Sequence, residues 1–326
     1  MSLDSVFTTG VIAVKEKNLL NDKLFRLAEL TAEEAFRALV EHGFGGGAET
    51  ASSPYEYEAL LSVEENRLEA FIREYAPTKE TAAYFLSSRD FHNAKALMKA
   101  KYLSVPEEKM LSGEGLIPLS LLKTCVSSLD FSPLSEVNLE LKLAFEEAAT
   151  LMQEESVSGA ELGFIFDKAC YRYLLSVVKR NRLLKGFVRR KIDMMNILTA
   201  LRAFDKERAE KYYLLGGELS VARLALLFQE NEEKVLGEFS GSPYAEFVKA
   251  CFEAKGKGVP FSQAEKMLAG LEIEYFAKRK YELKREQPFL YYVFKRKIEN
   301  ANVRIVLAGK LAGLNEAEIK KRLRAL

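Results

Sequence analysis

Leu20, Leu24 and Leu27 recur at i, i+4 and i+7, an apolar face at helical period that predicts a helix before Thr31. Thr31-x-x-Glu34 reads as a capping box, in which hydroxyl and carboxylate satisfy each other's free backbone amides. It opens TAEEAFRALVEH, which is expected to stop at Gly43, as helices commonly stop at glycine. Ser53-Pro54-Tyr55, Ser132-Pro133-Leu134 and Ser242-Pro243-Tyr244 each read as a helix start with proline in the first turn. No alternating apolar–polar run is flanked by hairpin turns, so the fold class is all-α. Gly43–Gly47, GFGGG, reads as a flexible surface loop.

One helical pattern occurs three times: Arg89–Lys99 (RDFHNAKALMK), Arg190–Arg202 (RKIDMMNILTALR) and Lys297–Leu307 (KIENANVRIVL). Each carries an acid, two spacers and an asparagine: Asp90 with Asn93, Asp193 with Asn196, Glu299 with Asn302. The acids lie 103 and then 106 residues apart (90 to 193, 193 to 299). Leu111-x-Gly113-x-x-Leu116 matches Leu214-x-Gly216-x-x-Leu219, and Glu64-x-x-x-Leu68 matches Asp167-x-x-x-Tyr171 and Glu272-x-x-x-Phe276. Several features in one order at one interval indicate duplication. Small and polar residues near 127–133 and 238–243 then divide the chain into three similar helical domains, 1–130, 131–238 and 239–326. The N-terminal helices of the first lie outside the repeat.

Composition changes the picture little. The 326 residues carry a net charge of +1, which gives no global field for nucleic acid or anionic lipid. Cys125, Cys170 and Cys251 are far apart and form no CxxC, as expected of reduced thiols in a cytosolic protein. No apolar run reaches the length of a membrane span, and MSLDSVFTTG lacks the apolar core of a secretion signal.

Candidate chemistry is sparse. HGFGGGA follows a helix, whereas a dinucleotide fingerprint follows a strand, and no GxxxxGK[ST] phosphate loop occurs. His42 and His92 stand in no metal-binding spacing, and Ser112 lacks the elbow of a nucleophile. No catalytic residue, cofactor or metal is expected. The acid–asparagine pairs remain. Three residues apart on a helix, the two side chains share a face, and an asparagine among apolar neighbours needs hydrogen-bond partners. The six side chains either tie each helix to its neighbours or converge on a shared axis and touch a partner. A second feature is basic: Lys179, Arg180, Arg182, Lys185, Arg189, Arg190 and Lys191, with no acid among them. It reads as a solvated surface, a contact for an acidic partner or lipid headgroups, or an internal partner for acids such as Glu64 and Glu65.

FTTGVIAVKEKNLLNDKLFRLAE resembles the opening of the C subunits of bacterial and archaeal V/A-type rotary ATPases, a family that is the counterpart of the vacuolar d subunit. ALVEHGFGG is similar to that family's turn after its second helix. DFHNAKALMKAKY, KIDMMNILTALRA and KIENANVRIVLAGKLAGL resemble its D-x-x-N-x-K/R helices, although Leu198 stands where Lys95 and Arg304 supply a base. The resemblance implies a funnel of three helical domains about a pseudo-threefold axis with a central cavity. It further implies a non-catalytic rotor component between the D and F shaft subunits and the membrane proteolipid ring, peripheral on the cytoplasmic face. The rival is a free helical-repeat scaffold, whose units usually run at about 34–47 residues.

Overall fold

The computed structural model describes residues 5–20, 23–108, 110–153, 157–203, 205–229, 231–277 and 286–324, among which no strand occurs. In chain order the helices are α1 (Ser5–Glu16), α2 (Lys23–Leu27), α3 (Ala32–Glu41) and α4 (Tyr57–Tyr75). There follow α5 (Lys79–Leu103), α6 (Leu119–Ser128), α7 (Leu139–Leu151), α8 (Gly159–Val177) and α9 (Arg182–Arg202). The short α10 (Lys206–Lys211) and α11 (Val221–Ala225) precede α12 (Glu232–Phe239) and α13 (Ala245–Lys257). Then come α14 (Ser262–Ala277), α15 (Gln287–Leu311) and α16 (Glu316–Arg322).

Local chemistry starts these helices. Thr31 Oγ1 accepts from Glu34 N–H at 3.2 Å while Glu34 Oε2 accepts from Thr31 N–H at 3.0 Å, and Ser158 with Glu161 repeats the box at α8. Asn138, Asn181, Asn231 and Asn315 cap α7, α9, α12 and α16 by accepting backbone amides three residues on. Of the three serine–proline starts, Ser53-Pro54 leads through one 3-10 turn into α4. Ser132-Pro133 forms an isolated 3-10 turn, and α7 opens instead at Asn138, whose carboxamide supplies a better cap.

The glycine stretch departs from expectation. Gly43 is left-handed and ends α3, but Phe44, Gly45 and Gly47 are buried in a 3-10 turn. Gly45 has φ of 61°, and a Cβ there would sit 2.4 Å from Leu60 O. Glycine is needed for that close approach to α4, and its N–H donates to Glu64 Oε1 at 2.9 Å.

Chain contacts group residues 80–268 into one unit and residues 1–79 with 269–326 into another, the division falling within α14. Both boundaries of the sequence repeat, near 130 and 238, lie inside the first of these. That middle unit centres on Phe131, Phe145 and Phe166: the first two rings stack at 4.9 Å and the third meets Phe145 edge-on at 5.3 Å. In the terminal unit α1, α2, α3 and α4 all pack on α15. Leu24, Leu39, Leu60, Leu61, Val306 and Leu307 form its fully buried apolar centre. The N-terminal helices therefore pack on the motif helix of the third copy.

Candidate functional site

Each acid–asparagine pair is buried on a long helix: Asp90 and Asn93 on α5, Asp193 and Asn196 on α9, Glu299 and Asn302 on α15. None is more than 3% exposed. The structure brings the first two pairs into the middle unit and the third into the terminal unit. Burial at this level demands hydrogen bonds, and the partners are backbone groups. Asp90 accepts from Leu116 and Ile117 N–H, both at 3.0 Å. Asn93 Oδ1 accepts from Ser112 N–H at 2.9 Å, and its amide donates to Gly113 O at 3.2 Å.

The second copy repeats the device. Asp193 accepts from Glu218 N–H at 2.9 Å and Leu219 N–H at 3.0 Å, and also from Tyr244 Oη at 2.6 Å. Burial and the adjacent carboxylate push the Tyr244 phenol far above its ordinary range. Asn196 holds Leu214 by both backbone groups, each at 2.8 Å. The glycines that matter here are not those singled out by sequence matching. A Cβ on Gly115 would lie 2.2 Å from Asp90 Oδ1, and one on Gly217 would lie 2.0 Å from Asp193 Oδ1.

These contacts also correct the repeat register. The hydrogen bonds equate Ser112 with Leu214, Gly115 with Gly217, and Leu116 and Ile117 with Glu218 and Leu219. That interval is 102, one less than between the acids. A residue is absent between Asn196 and its loop, so matching LSGEGL with LLGGEL is one position out.

The third copy keeps half of the arrangement locally. Asn302 grips Arg324 as Asn196 grips Leu214, accepting its N–H at 2.9 Å and donating to its carbonyl at 3.0 Å. The amide that meets Glu299 comes from the other end of the chain: Leu20 N–H donates to Oε2 at 2.7 Å. Arg296 bridges Glu299 and the buried Glu64, which also receives Arg67 at 2.7 Å. Burial raises the Glu299 carboxyl; Arg296 and the Leu20 amide oppose that rise, and Glu64 adds to it. A polar cleft of about 370 Å³ lies over this network, lined by Lys15, Asn18, His42, Arg67 and Tyr292 among others. His42 Nδ1 lies 3.4 Å from Lys23 Nζ, and Nε2 lies 3.4 Å from Asn18 O. Among the described residues no group of three His, Cys, Asp or Glu could hold a metal ion.

The base that follows the asparagine meets an acid on another helix. Lys95 on α5 pairs with Asp167 on α8 at 2.6 Å. Arg304 on α15 pairs with Glu58 and Glu65 on α4 at 2.9 and 3.3 Å, which holds its guanidinium firmly charged. Where Leu198 interrupts the pattern, Arg202 one turn later reaches Glu265 at 2.5 Å. Of these acids only Asp167 stood in the sequence recurrence; Glu58 and Glu265 carried no sequence signal.

The basic segment straddles the start of α9. Lys179, Arg180, Arg182 and Lys185 are exposed, while Arg189, Arg190 and Lys191 are half-buried. Glu64 and Glu65 meet Arg296, Arg67 and Arg304 instead.

By class, then, this is an all-helical protein whose buried acid–asparagine pairs secure its own backbone. The chain belongs to the family ATP synthase (C/AC39) subunit, which matches residues 8–322; that family is an accessory, non-catalytic component of its complex. It is 25% identical to the C subunit of the A-type ATP synthase of Methanocaldococcus jannaschii, over 98% of this chain and 86% of that one. It is 21% identical to the C subunit of the V-type sodium ATPase of Enterococcus hirae, over 95% and 92%. The C subunit of the V-type ATP synthase of Thermus thermophilus is 22% identical, over 75% and 77%. No helix among the described residues is long and apolar enough to cross a membrane.

Proposed function

We propose that this chain is the rotor collar of a V/A-type ATPase, a non-catalytic piece joining the D and F shaft subunits to the membrane proteolipid ring. It sits peripherally on the cytoplasmic face, so that rotation in the ATP-handling head becomes ion movement, or the reverse. The three copies, 1–130, 131–238 and 239–326, surround a pseudo-threefold axis and leave a central cavity for the shaft. The observation that carries this reading is the family match along residues 8–322. The helix-to-helix ion pairs support it. Lys95–Asp167 links the first copy to the second, Arg202–Glu265 the second to the third, and Arg304–Glu58 the third back to the first.

A coupling piece that yields under load wastes free energy, so its binding surfaces must be stiff. Asp90, Asn93, Asp193, Asn196, Glu299 and Asn302 serve the partners by fixing the backbone of loops that meet them. Both interfaces are expected to bury roughly 1,200 Å² or more. Co-purification tests the assignment: the full chain is expected to retain the D and F shaft subunits through size exclusion. A chain that folds but captures neither, at concentrations where other rotor components assemble, overturns it.

A further inference from the structure

Seven cations and no carboxylate fall between Lys179 and Lys191, and the fold divides them into two sets. Arg189 donates to Gly216 O and Gly217 O, both at 3.2 Å. Arg190 donates to Pro243 O at 3.1 Å and lies 5.9 Å from the Tyr244 ring centre; Lys191 lies 5.9 Å from that of Phe187. These three are engaged by the chain itself. Lys179, Arg180, Arg182 and Lys185 are exposed at the turn between α8 and α9 and form no ion pair with any described residue.

Their placement is unfavourable in the isolated chain. Arg182 and Lys185 lie in the first turn of a 21-residue helix, where the dipole disfavours cations, and four like charges crowd within seven residues. An external anion relieves both effects. We propose that this turn docks on the anionic lipid headgroups of a bilayer.

The surroundings favour a plane of phosphates over an acidic protein. A specific protein interface is anchored by a desolvated apolar or aromatic centre. Along α8 and α9, the helices that bear the turn, no described large apolar side chain is exposed. The free groups are Lys and Arg in equal number on an exposed turn. Dispersed headgroups demand charge and reach alone. The proposal rests on the rotor reading only for the nearness of a membrane.

The test uses the purified full chain with two kinds of vesicle, phosphatidylcholine alone and phosphatidylcholine mixed with phosphatidylglycerol, read by co-sedimentation. The chain is expected to bind the mixed vesicles alone, and less as salt is raised. The variant K179E/R180E/R182E/K185E is expected to bind them at least two to three orders of magnitude more weakly, roughly fivefold for each cation removed with repulsion added. The swap K179R/R180K/R182K/K185R, which keeps the charge and the Asn181 cap, is expected to bind as the parent does. Reversal of the equally exposed Lys234, Lys249, Lys255 and Lys257 is the matched control and is expected to change little. Equal loss in that control overturns the proposal, as does indifference of the parent chain to phosphatidylglycerol. Capture of polyglutamate without vesicle binding also overturns it, in favour of an acidic protein. Should the reversal variant lose its helical circular dichroism, neutralisation to Gln at the four positions replaces it. Because no other protein is present, failure here leaves the shaft co-purification result untouched.

Discussion

Leu20 and Glu299 are 279 residues apart in sequence and share a buried 2.7 Å hydrogen bond, amide to carboxylate. In the first two copies the acid meets amides 25 to 27 residues downstream. In the third copy the N-terminal segment supplies the donor instead. Lys310 donating to Ala28 O at 2.5 Å and Lys320 pairing with Glu29 at 2.6 Å extend the same closure. Glu299→Gln keeps an acceptor for the Leu20 amide, whereas Glu299→Met keeps the shape and removes it. Both lose the charge facing Arg296. The Met variant is expected to be less stable than the Gln variant by about 1–3 kcal/mol, the cost of an orphaned buried donor, read by urea unfolding. Equal stability would mean that the bond contributes nothing.

The three asparagines should not weigh equally. Leu214, held by Asn196, is buried, so both of its backbone groups lose their partners in Asn196→Ala. Ser112 is half-buried and Gly113 exposed, and water can replace the carboxamide of Asn93. Asn196→Ala is expected to cost about 2–4 kcal/mol and Asn93→Ala about half as much. Thermal or chemical denaturation ranks them. If shaft affinity of the folded Asn196→Ala fraction matches the parent, the residue acts through the loop and does not touch the partner.

How much of this was legible in the sequence follows from the range of each interaction. The acid–asparagine helices recur because both members lie on one helix turn, so Asp90–Asn93 and Asp193–Asn196 stand out. The loops they grip are legible in outline only: one residue fewer in the second copy shifts the true register to 102, and leucine matching conceals the shift. Leu20 as a partner of Glu299 is invisible, because the donor is a backbone amide that any residue provides. The basic run is legible as charge; its division at Arg189 depends on where Gly216, Gly217 and Pro243 fold back. GFGGG reads as a loose loop because glycine is permissive, yet Gly45 is there because α4 leaves no room for a Cβ.

Close approach to a buried carboxylate makes Gly115 and Gly217 sensitive to any added side chain. Gly115→Ala and Gly217→Ala each drive a methyl group onto the carboxylate that organises the loop, at 2.2 and 2.0 Å. Each is expected to destabilise by about 1–3 kcal/mol. Gly237 lies inside α12 with nothing within 4 Å of a built Cβ, so Gly237→Ala is expected to stabilise by roughly 0.5–1 kcal/mol. Melting temperatures moving in opposite directions confirm the contrast; a shift in the same direction refutes it.

The raised carboxyl of Glu299 gives a pH signature of definite sign. Its ordinary value is 4.5 and burial lifts it in the fold, so between the two values the native state binds the proton more readily than the unfolded chain. Stability therefore falls as pH rises through that window, and the loss is complete above the folded value. Carboxylates held low by their partners, such as Glu58 beside Arg304 and Glu161 beside Ser158, act in the opposite sense. The total pH profile mixes both, and the informative quantity is the difference between parent and Glu299→Gln. That difference is expected to change with pH only above about 4.5, the parent losing stability relative to the Gln variant as pH increases. Urea midpoints at stepped pH measure it. A constant difference would mean that Glu299 titrates as an ordinary carboxyl; a parent that gains on the variant with rising pH would mean that Arg296 and the Leu20 amide outweigh the burial.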